Sequence, residues 1–514
     1  MSDGSAVPLN SQVIFIYLTL LCVAVLLITW SRASIPTGSK NPPGPHGWPI
    51  IGNILNLSLK GSWNSLTAFR KIYGDLVFFH GLGNNILVLN SLDTMNDLLD
   101  KRGQLYSDRP FFTMASELMG ADQTMIFKSY CEEWREQRKI VRGALSPSSV
   151  KKYHPMLKDF AVHMCGDIIE RPLDFCSSVR LTAGKIVIGF TYGIRIESAE
   201  DEYITDEEEV TERVGRAAVP GTYLCDFVPM MKYLPEWVPF RKEARAVREL
   251  AERCASRPFE TVLRNMSQGI ATTSLVKDIL TTGKTESKHL NGVKWAAGSL
   301  YAAGTETTYA SVLTFIMAMA LHPKQQQLAH DEIDRVVGPG RLPQFEDREN
   351  LPYLNAIIKE TARWHPVVPL SVARRTLADD WYKGFHIPKG TIIVPNLWAV
   401  AFSENVRYDP QAFIPERFLD EGSLEINPAT WQFGFGRRIC PGKALAEESV
   451  FILIAHLIWT FSFAVDESEG LAPEFTEDLV SYPKPFKCLI SPRSERHHAG
   501  VQDALAGDDN WFLS

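Results

Sequence analysis

The chain lacks the sequence features that mark several large classes of protein. Its 514 residues include eight cysteines, without a CxxC or CxxCH spacing and without a tight cluster. A zinc site, covalently attached c-type haem and a disulfide scaffold are therefore disfavoured, and most of the cysteines fit a reducing, cytosolic environment. Lys and Arg number 53 against 60 Asp and Glu, and the net charge of −7 gives no reason to expect nucleic-acid binding. The sequence also contains no internal repeats.

One long hydrophobic run lies near the N-terminus. Residues 13–30 carry no charge, and at a helical rise of about 1.5 Å per residue they would span roughly 27 Å, near the thickness of the hydrocarbon layer. Arg32 and Lys40 follow the run, so the positive-inside rule predicts a transmembrane anchor with residues 1–12 in the lumen. A cleaved signal peptide is the alternative, although such signals usually begin with basic residues and have a shorter apolar core.

The remainder is expected to form one large, mainly helical domain with small sheets over residues 50–493. Hydrophobic residues make up 45% and charged residues 22%, which excludes disorder for the bulk of the chain. Residues 31–49 form a linker, and its consecutive prolines favour a stiff, extended hinge. The polar tail, residues 494–514, is expected to fray. Turn residues and prolines also predict individual elements. Strands are expected as a β-hairpin over 76–79 and 86–89 and over 384–395. Helices are expected over 294–321, from Pro352 to His365, and from Pro441 onwards.

Cys440 differs from the other cysteines in its surroundings. Gly434 and Gly436 permit a tight loop before it, and Arg437 adds positive potential. Pro441 is expected to open a helix, which places Cys440 at a helix N-terminus, where the dipole favours a thiolate. A thiolate in such a place is either a nucleophile, which would need a base brought close by folding, or a metal ligand.

The residues around Cys440 form the pattern FxxGxRxCxG, which Phe433, Gly436, Arg438, Cys440 and Gly442 match at every fixed position. This pattern resembles the haem-binding signature of the cytochrome P-450 family of haem-thiolate monooxygenases. The resemblance implies the cytochrome P-450 fold, haem b (iron protoporphyrin IX) with Cys440 as the axial iron ligand, and O2 as co-substrate. It extends from the predicted anchor to the Cys440 loop, with the motifs in family order.

Two further motifs resemble the same family. Glu360 and Arg363 form an ExxR on one helix face, and residues 413–418 resemble the family's PERF segment. Surface Glu/Arg pairs are common, so the ExxR is informative only through its position before the Cys440 loop. The resemblance implies that Glu360, Arg363 and Arg417 form an internal ion-pair network that supports the haem pocket.

Trp134 and Arg138 form a WxxxR, whose spacing places both side chains on one face of a helix. An ordinary amphipathic helix would show the same spacing. By resemblance, both residues contact a haem propionate, and Arg438 and Arg374 are further candidates for pairing with propionates. Arg375 is the alternative to Arg374, because it is the adjacent residue.

Residues 303–308 place a glycine and three threonines inside the predicted helix, where they are poor helix formers. A packing notch against another helix is one explanation. The resemblance offers another, in which Gly304 lets the helix backbone approach the haem. Thr307 and Glu306 then deliver protons for O–O bond cleavage.

The same resemblance implies the partners. The sequence has no complete GxGxxG fingerprint, so NADPH is expected to act indirectly, through a separate NADPH–cytochrome P-450 reductase, with cytochrome b5 as a further candidate partner. Basic residues near the Cys440 loop could dock such an acidic protein or could simply form a solvated surface. These residues are Arg135, Lys139, Arg142, Arg437 and Lys443. The anchor and hinge resemble those of microsomal members, which predicts a single-pass protein of the endoplasmic reticulum membrane.

The substrate is expected to be a lipophilic small molecule. The segments that vary in the family carry apolar side chains that suit such a substrate, although an ordinary core would use the same residue types. The expected pocket residues are Phe111, Phe112, Met114, Ala303, Val368 and Leu370. Residues 219–223 and 233–235 resemble fungal members of natural-product pathways, so hydroxylation of a terpenoid in secondary metabolism is the leading hypothesis. The alternatives are an aromatic or alkaloid precursor, a reductase-independent haem-thiolate isomerase or dehydratase, and a membrane-tethered binding protein.

Overall fold

The computed structural model describes residues 19, 21, 22, 25, 40–48, 52–53, 56, 61–81, 83–219, 222–282, 286–404, 407–422, 425–466 and 472–507. The predicted lumenal segment 1–12 lies outside these residues, as do the predicted anchor 13–30, apart from four positions, and most of the linker. Within the described ranges, no helix is both long enough and apolar enough to cross a membrane.

Helices form most of the described part of the chain, as the sequence predicts. They are α1 (Ser62–Tyr73), α2 (Leu92–Met95), α3 (Glu132–Ala144), α4 (Pro147–Val150), α5 (His154–Glu170), α6 (Phe175–Tyr192), α7 (Glu202–Ala217), α8 (Pro239–Ser267), α9 (Leu275–Thr282), α10 (Ser287–Leu321), α11 (Pro323–Val336), α12 (Pro352–Trp364), α13 (Leu397–Ala401), α14 (Lys443–Thr460) and α15 (Glu495–Ala506). Short π-helical segments occupy Asn96–Lys101 and Thr113–Leu118. Short 3-10 segments occupy Ala121–Gln123, Lys151–Tyr153, Pro172–Asp174, Leu224–Asp226, Pro229–Tyr233, Phe345–Asn350, Pro415–Phe418, Pro428–Thr430 and Gly436–Arg438.

The strands of the described residues form three small sheets. They are β1 (Leu76–Gly81), β2 (Asn84–Leu89), β3 (Arg374–Arg375), β4 (Asp380–Tyr382), β5 (Phe385–Ile387), β6 (Ile392–Pro395), β7 (Phe461–Ala464) and β8 (Leu489–Pro492). The predicted hairpin is confirmed as the antiparallel pair β1–β2, in which Leu76 lies opposite Leu89. β6 continues this sheet, parallel to β2 and antiparallel to β3. The predicted strand over 384–395 divides into β5 and β6, with Gly390 between them at φ +81.

Helix α10 crosses the molecule and positions the site. It begins seven residues earlier than predicted and ends at Leu321 before Pro323, because proline disfavours helix at the residue that precedes it. Most of its side chains between Val293 and Ala320 are buried. It packs against α6, α3 and α14, and these four helices enclose the main apolar core.

The C-terminal segment differs from the prediction of a frayed tail. Residues 495–506 form α15, which packs against α5, and Val501 is fully buried. The prediction was wrong for these residues because a polar composition hides the few apolar contacts that order the helix. Gly500 allows the close approach, since a Cβ at this position would lie 2.8 Å from the ring of Trp459.

Candidate active site

A cavity of about 500 Å³ lies between α10, the Cys440 loop and α14. Cys440 lines it on one side, and Ala303, Gly304 and Thr307 of α10 line it on another. Apolar side chains from α6 and α7 and from residues 119–127 complete much of the wall. The cavity therefore combines one thiol with mostly apolar surroundings, which is typical of a site that binds a lipophilic small molecule.

The Cys440 loop folds tightly, as its glycines predict. The Cys440 backbone N–H donates to Phe433 O at 2.8 Å, and Phe433 also lines the cavity. Gly436 does not line the cavity, and in the structure it has a packing role. It has φ +52, and a Cβ there would overlap Leu99 O. Only glycine fits this close approach between the loop and residues 96–101.

Burial and the nearby charges shift the pKa of the Cys440 thiol in opposite directions. Burial raises the pKa of the Cys440 thiol, whereas the Gly442 backbone N–H and the charges of Arg138 and Lys443 lower it. Helix α14 begins at Lys443, two residues later than predicted, so Cys440 precedes the helix N-terminus by a short turn. A cation opposite the sulfur would complete the stabilisation of a thiolate, because metal coordination deprotonates a thiol.

Three buried arginines line the cavity and lie close enough to repel one another. Burial lowers the pKa of Arg374 to about 10. Burial and then the charge of Arg374 lower the pKa of Arg438 to about 9. Burial followed by both of these charges holds the pKa of Arg109 well below its usual range. Their side-chain hydrogen bonds in the described structure go to backbone carbonyl oxygens and not to a carboxylate. The charges of Asp108 and Asp100 oppose the lowering of these pKa values only in part.

Trp134 and Arg138 lie beside these arginines and line the same cavity. Trp134 Nε1 donates to Met125 O at 3.1 Å, and the Arg438 guanidinium lies 4.2 Å from the Trp134 ring centroid. Arg138 donates to Ile439 O, next to Cys440. Of the two adjacent arginines, Arg374 lines the cavity, whereas Arg375 pairs with Asp108 at 2.6 Å and does not line it, so the geometry favours Arg374.

These residues fit the haem that the sequence predicts. A dianionic group would neutralise the buried guanidiniums, and bidentate pairing of arginine with carboxylate is strong when desolvated. The described part of the chain contains no group of three or more His, Cys, Asp or Glu side chains that could hold a metal ion by itself. A porphyrin would supply the other ligands of an iron ion at Cys440, and its two propionates would match the charge of the buried guanidiniums.

The predicted ion-pair network is present behind the cavity. Arg363 binds both carboxylate oxygens of Glu360, at 2.7 and 2.8 Å, and Arg417 Nε lies 3.2 Å from Glu360 Oε2. The Ile414 N–H also donates to Glu360, at 2.7 Å. All three charged side chains are at most 1% exposed. The network joins α12 to the segment at residues 409–418, because Arg363 and Arg417 also donate to backbone carbonyls there.

The glycine and threonines of α10 have two explanations, a packing notch against another helix and a place on the cavity. Thr307 lines the cavity, and its hydroxyl donates to Ala303 O at 2.9 Å. Gly304 also lines the cavity, but a Cβ there would lie 2.8 Å from Val187 Cγ2 on α6. Gly304 therefore serves as a packing notch between α10 and α6 as well as a cavity residue.

Glu306 is buried but does not line the cavity. Its Oε1 lies 3.6 Å from Arg180 Nη1, and Arg180 also pairs with Glu208 on α7 and stacks on Tyr309. Burial raises the pKa of Glu306, and Arg180 opposes that shift. Arg180 thus links the buried carboxylate of Glu306 to the partly exposed carboxylate of Glu208.

The expected substrate residues separate into two groups. Ala303 and Val368 line the cavity, whereas Phe111, Phe112, Met114 and Leu370 do not. Phe111 is half exposed, Phe112 and Met114 pack in a core with α7 and α8, and Leu370 packs against the β1–β2 sheet. Hydrophobicity alone cannot distinguish a cavity wall from a core. Sequence reasoning also missed residues that tertiary structure brings to the cavity from distant segments, namely Arg109, Met119, Met125, Phe190, Leu479 and Val480.

The basic residues near the Cys440 loop are mostly available at the surface. Arg135, Lys139 and Arg142 of α3 are exposed, as is Arg437, which donates to Tyr130 Oη. Lys443 is half-buried, and its ammonium donates to Ala429 O at 2.8 Å. The surface on this side is positively charged at several points.

Comparison with known proteins agrees with this geometry. Residues 42–490 match the family model described as "Cytochrome P450". The cytochrome P450 monooxygenase claR of Ampulloclitocybe clavipes is 37% identical, covering 91% of this chain and 89% of its own. The cytochrome P450 monooxygenase COX2 of Coprinopsis cinerea is 36% identical, covering 91% and 92%. The cytochrome P450 monooxygenase 98 of Postia placenta is 34% identical, covering 96% and 97%.

Proposed function

The chain belongs to the cytochrome P-450 family, and from this premise we propose that it hydroxylates a lipophilic small molecule of a secondary-metabolite pathway, with a terpenoid as the leading substrate class. The observation that carries the proposal is the placement of Cys440 and a group of buried guanidiniums on one largely apolar cavity. The family is one of haem-dependent monooxygenases that use O2 and electrons supplied by a reductase from NAD(P)H.

When bound, haem supplies oxygen activation and the insertion of one oxygen atom into the substrate. Cys440 would hold the iron, and Arg109, Arg374, Arg438 and Arg138 would hold the propionates. The apolar side chains of the cavity exclude water and orient the substrate, because a lipophilic ligand is bound mainly by removal of its surface from solvent. The Glu360 network holds α12, which carries the cavity residues Ile358 and Ala362, against residues 409–418.

Proton delivery is assigned to Thr307 and Glu306. The Thr307 hydroxyl lies on the cavity and can donate a proton to a reacting oxygen there. Glu306 is adjacent in sequence, and burial raises the pKa of its carboxyl group, which brings the uptake and release of a proton closer to neutral pH. The ion pairs from Arg180 to Glu306 and Glu208 support a connection between this buried carboxyl and the surface.

Electron delivery is assigned to a separate NADPH–cytochrome P-450 reductase, with cytochrome b5 as a second candidate donor. The exposed basic residues of α3 and the exposed Arg437 support docking of an acidic protein on the Cys440 side. Charge reversal of Arg135 and Lys139 should raise the reductase concentration needed for half-maximal reduction while leaving the haem spectrum unchanged. Unchanged dependence on reductase concentration would count against this surface.

We further propose that the protein is bound to the endoplasmic reticulum membrane through residues 13–30, with a second contact from the segment after α7. That segment exposes large apolar side chains at Leu224, Val228, Met230, Tyr233, Leu234 and Trp237, and exposed apolar clusters of this kind mark membrane or protein contacts. The full chain should stay with microsomes after carbonate extraction. Recovery in the soluble fraction would refute membrane anchoring.

The central test is turnover. The full chain is co-expressed with a cytochrome P-450 reductase, and cells are fed terpenoid, aromatic and alkaloid precursors. Mass spectrometry should show a gain of one oxygen that requires NADPH, with terpenoids as the best substrates. Oxidation confined to aromatic or alkaloid precursors would overturn the substrate class, and NADPH-independent rearrangement would overturn the reaction class.

A further inference from the structure

The cavity wall also contains a buried carboxyl group, whose charge when ionised is opposite to that of the arginines. Glu207 of α7 is 6% exposed and is one of the lining residues. Its Oε1 accepts a hydrogen bond from Thr211 Oγ1 at 3.2 Å, one helical turn away. Glu207 has no part in the proton delivery assigned to Thr307 and Glu306, and the other cavity residues of α7 are the apolar Val210 and Val214 together with Thr211 and Gly215.

The surroundings of Glu207 favour its neutral form. The facing titratable groups are Cys254 of α8, Tyr192 of α6, Glu306 and Tyr301 of α10, and Asp206 of α7 itself. Burial raises the pKa of Glu207 to about 8, against hydrogen bonds from Thr211 and Cys254. The charges of Glu306 and Asp206 act in the same direction as burial, because both are negative. At neutral pH Glu207 is therefore mostly a carboxylic acid, which can both donate and accept hydrogen bonds.

A second polar group on the same cavity is without a partner. Thr191 of α6 is fully buried and lines the cavity, and its Oγ1 makes no hydrogen bond within the described ranges. Thr191 follows Val187, which packs at Gly304, by one helical turn. Buried hydroxyl groups almost always have a partner, so this unsatisfied hydroxyl would gain a hydrogen bond if the Thr191 side chain turned towards a ligand oxygen in the cavity.

We propose that Glu207, with Thr191, is a polar anchor that hydrogen-bonds a hydroxyl or carbonyl oxygen on an otherwise lipophilic substrate. This inference rests on the proposed function, since it concerns the substrate of the same cavity. The anchor favours binding of a substrate that already carries an oxygen atom. The corresponding hydrocarbon, which lacks that oxygen, binds more weakly. A neutral oxygen function suits a carboxyl group that is kept protonated, whereas a cationic group would have to be desolvated in an apolar wall.

The anchor can be tested by ligand binding to the haem-loaded full chain. The probes are dodecane, 1-dodecanol and dodecyltrimethylammonium, which share an alkyl chain, and the last cannot ligate iron through nitrogen. Binding is measured from the shift of the Soret band. One hydrogen bond to a buried group corresponds to about tenfold in affinity, so the wild type should bind 1-dodecanol about tenfold more tightly than dodecane.

Three variants separate the anchor from general effects. Glu207→Leu should reduce the alcohol-to-alkane ratio to about one, because it removes the anchor but keeps the wall apolar. Glu207→Gln should keep most of the preference, since an amide also donates and accepts. Glu209→Leu is the matched control on the exposed face of α7, where Glu209 pairs with Arg213, and it should leave the ratio unchanged.

The outcomes distinguish the anchor from the underlying function. An unchanged ratio in Glu207→Leu overturns the anchor, as does tighter binding of the cationic probe than of the alcohol by the wild type. Failure of a normally haem-loaded wild type to bind any probe also overturns it. A wild type without the thiolate-type band of the reduced carbon monoxide complex overturns the proposed function and the anchor together.

Discussion

Replacing Gly436 with alanine should destabilise the protein by about 2–5 kcal/mol. A residue with a Cβ pays about 1–2 kcal/mol for the left-handed conformation that φ +52 requires. The added Cβ would also overlap Leu99 O. Because this neighbour is backbone, one of the two segments must move, and forced repacking of this kind costs about 1–3 kcal/mol more. The free energy of unfolding in guanidinium chloride measures the sum.

Gly390→Ala is the matched control. Gly390 also has a positive φ, of +81, but a Cβ there would meet nothing within 4 Å. It should therefore show only the backbone cost, about 1–2 kcal/mol. If the two variants lose the same free energy of unfolding, the reasoning from the overlap with Leu99 is refuted.

The Gly436 variant should also lose haem. Arg374 donates to Leu99 O at 3.4 Å and to Phe435 O at 2.7 Å, so it is held by both segments that the alanine would separate. Displacement of Arg374 would weaken its pairing with a propionate. The haem content per protein after gel filtration should fall in Gly436→Ala and not in Gly390→Ala, and equal retention would show that Arg374 does not depend on this packing.

Three other substitutions have defined expectations. Cys440→Ala should abolish the thiolate-type Soret band of the reduced carbon monoxide complex, and an unchanged band would disprove the ligand assignment. Thr307→Ala should uncouple NADPH consumption from product formation, so tight coupling in this variant would contradict its role in proton delivery. Glu360→Gln should lower the free energy of unfolding by about 3–5 kcal/mol, because it leaves the buried Arg363 without a carboxylate partner and the buried Arg417 with Glu425 alone; a loss below about 1 kcal/mol, typical of exposed pairs, would show that the network is dispensable.

The parts of the site that could be predicted are those whose residues are close in sequence. Glu360 and Arg363 meet because they are three residues apart on α12, and their helix begins at Pro352 as predicted. The tight Cys440 loop was also predictable, because the glycines that permit it lie close to Cys440 in the sequence. The hairpin β1–β2 was predictable because two short apolar runs flank a turn.

The parts that could not be predicted depend on long-range packing. Arg109 reaches the cavity only because the chain folds residues 126 and 372–373 around it, and an arginine before a proline has no diagnostic spacing. Glu306 has the residue type expected of a proton donor, but its pairing with Arg180 of α6 depends on how two distant helices meet. Phe111 and Val368 are both apolar, and only the fold shows that the second one faces the cavity.

The buried arginines of the cavity also link folding to cofactor supply. Arg109, Arg374 and Arg438 repel one another in a poorly solvated wall, which opposes folding of the chain until an anion neutralises them. A ligand that binds only the folded state stabilises it in proportion to the logarithm of its free concentration. The amount of folded protein in a cell should therefore rise and fall with the availability of haem, so that haem biosynthesis sets the abundance of the enzyme as well as its activity.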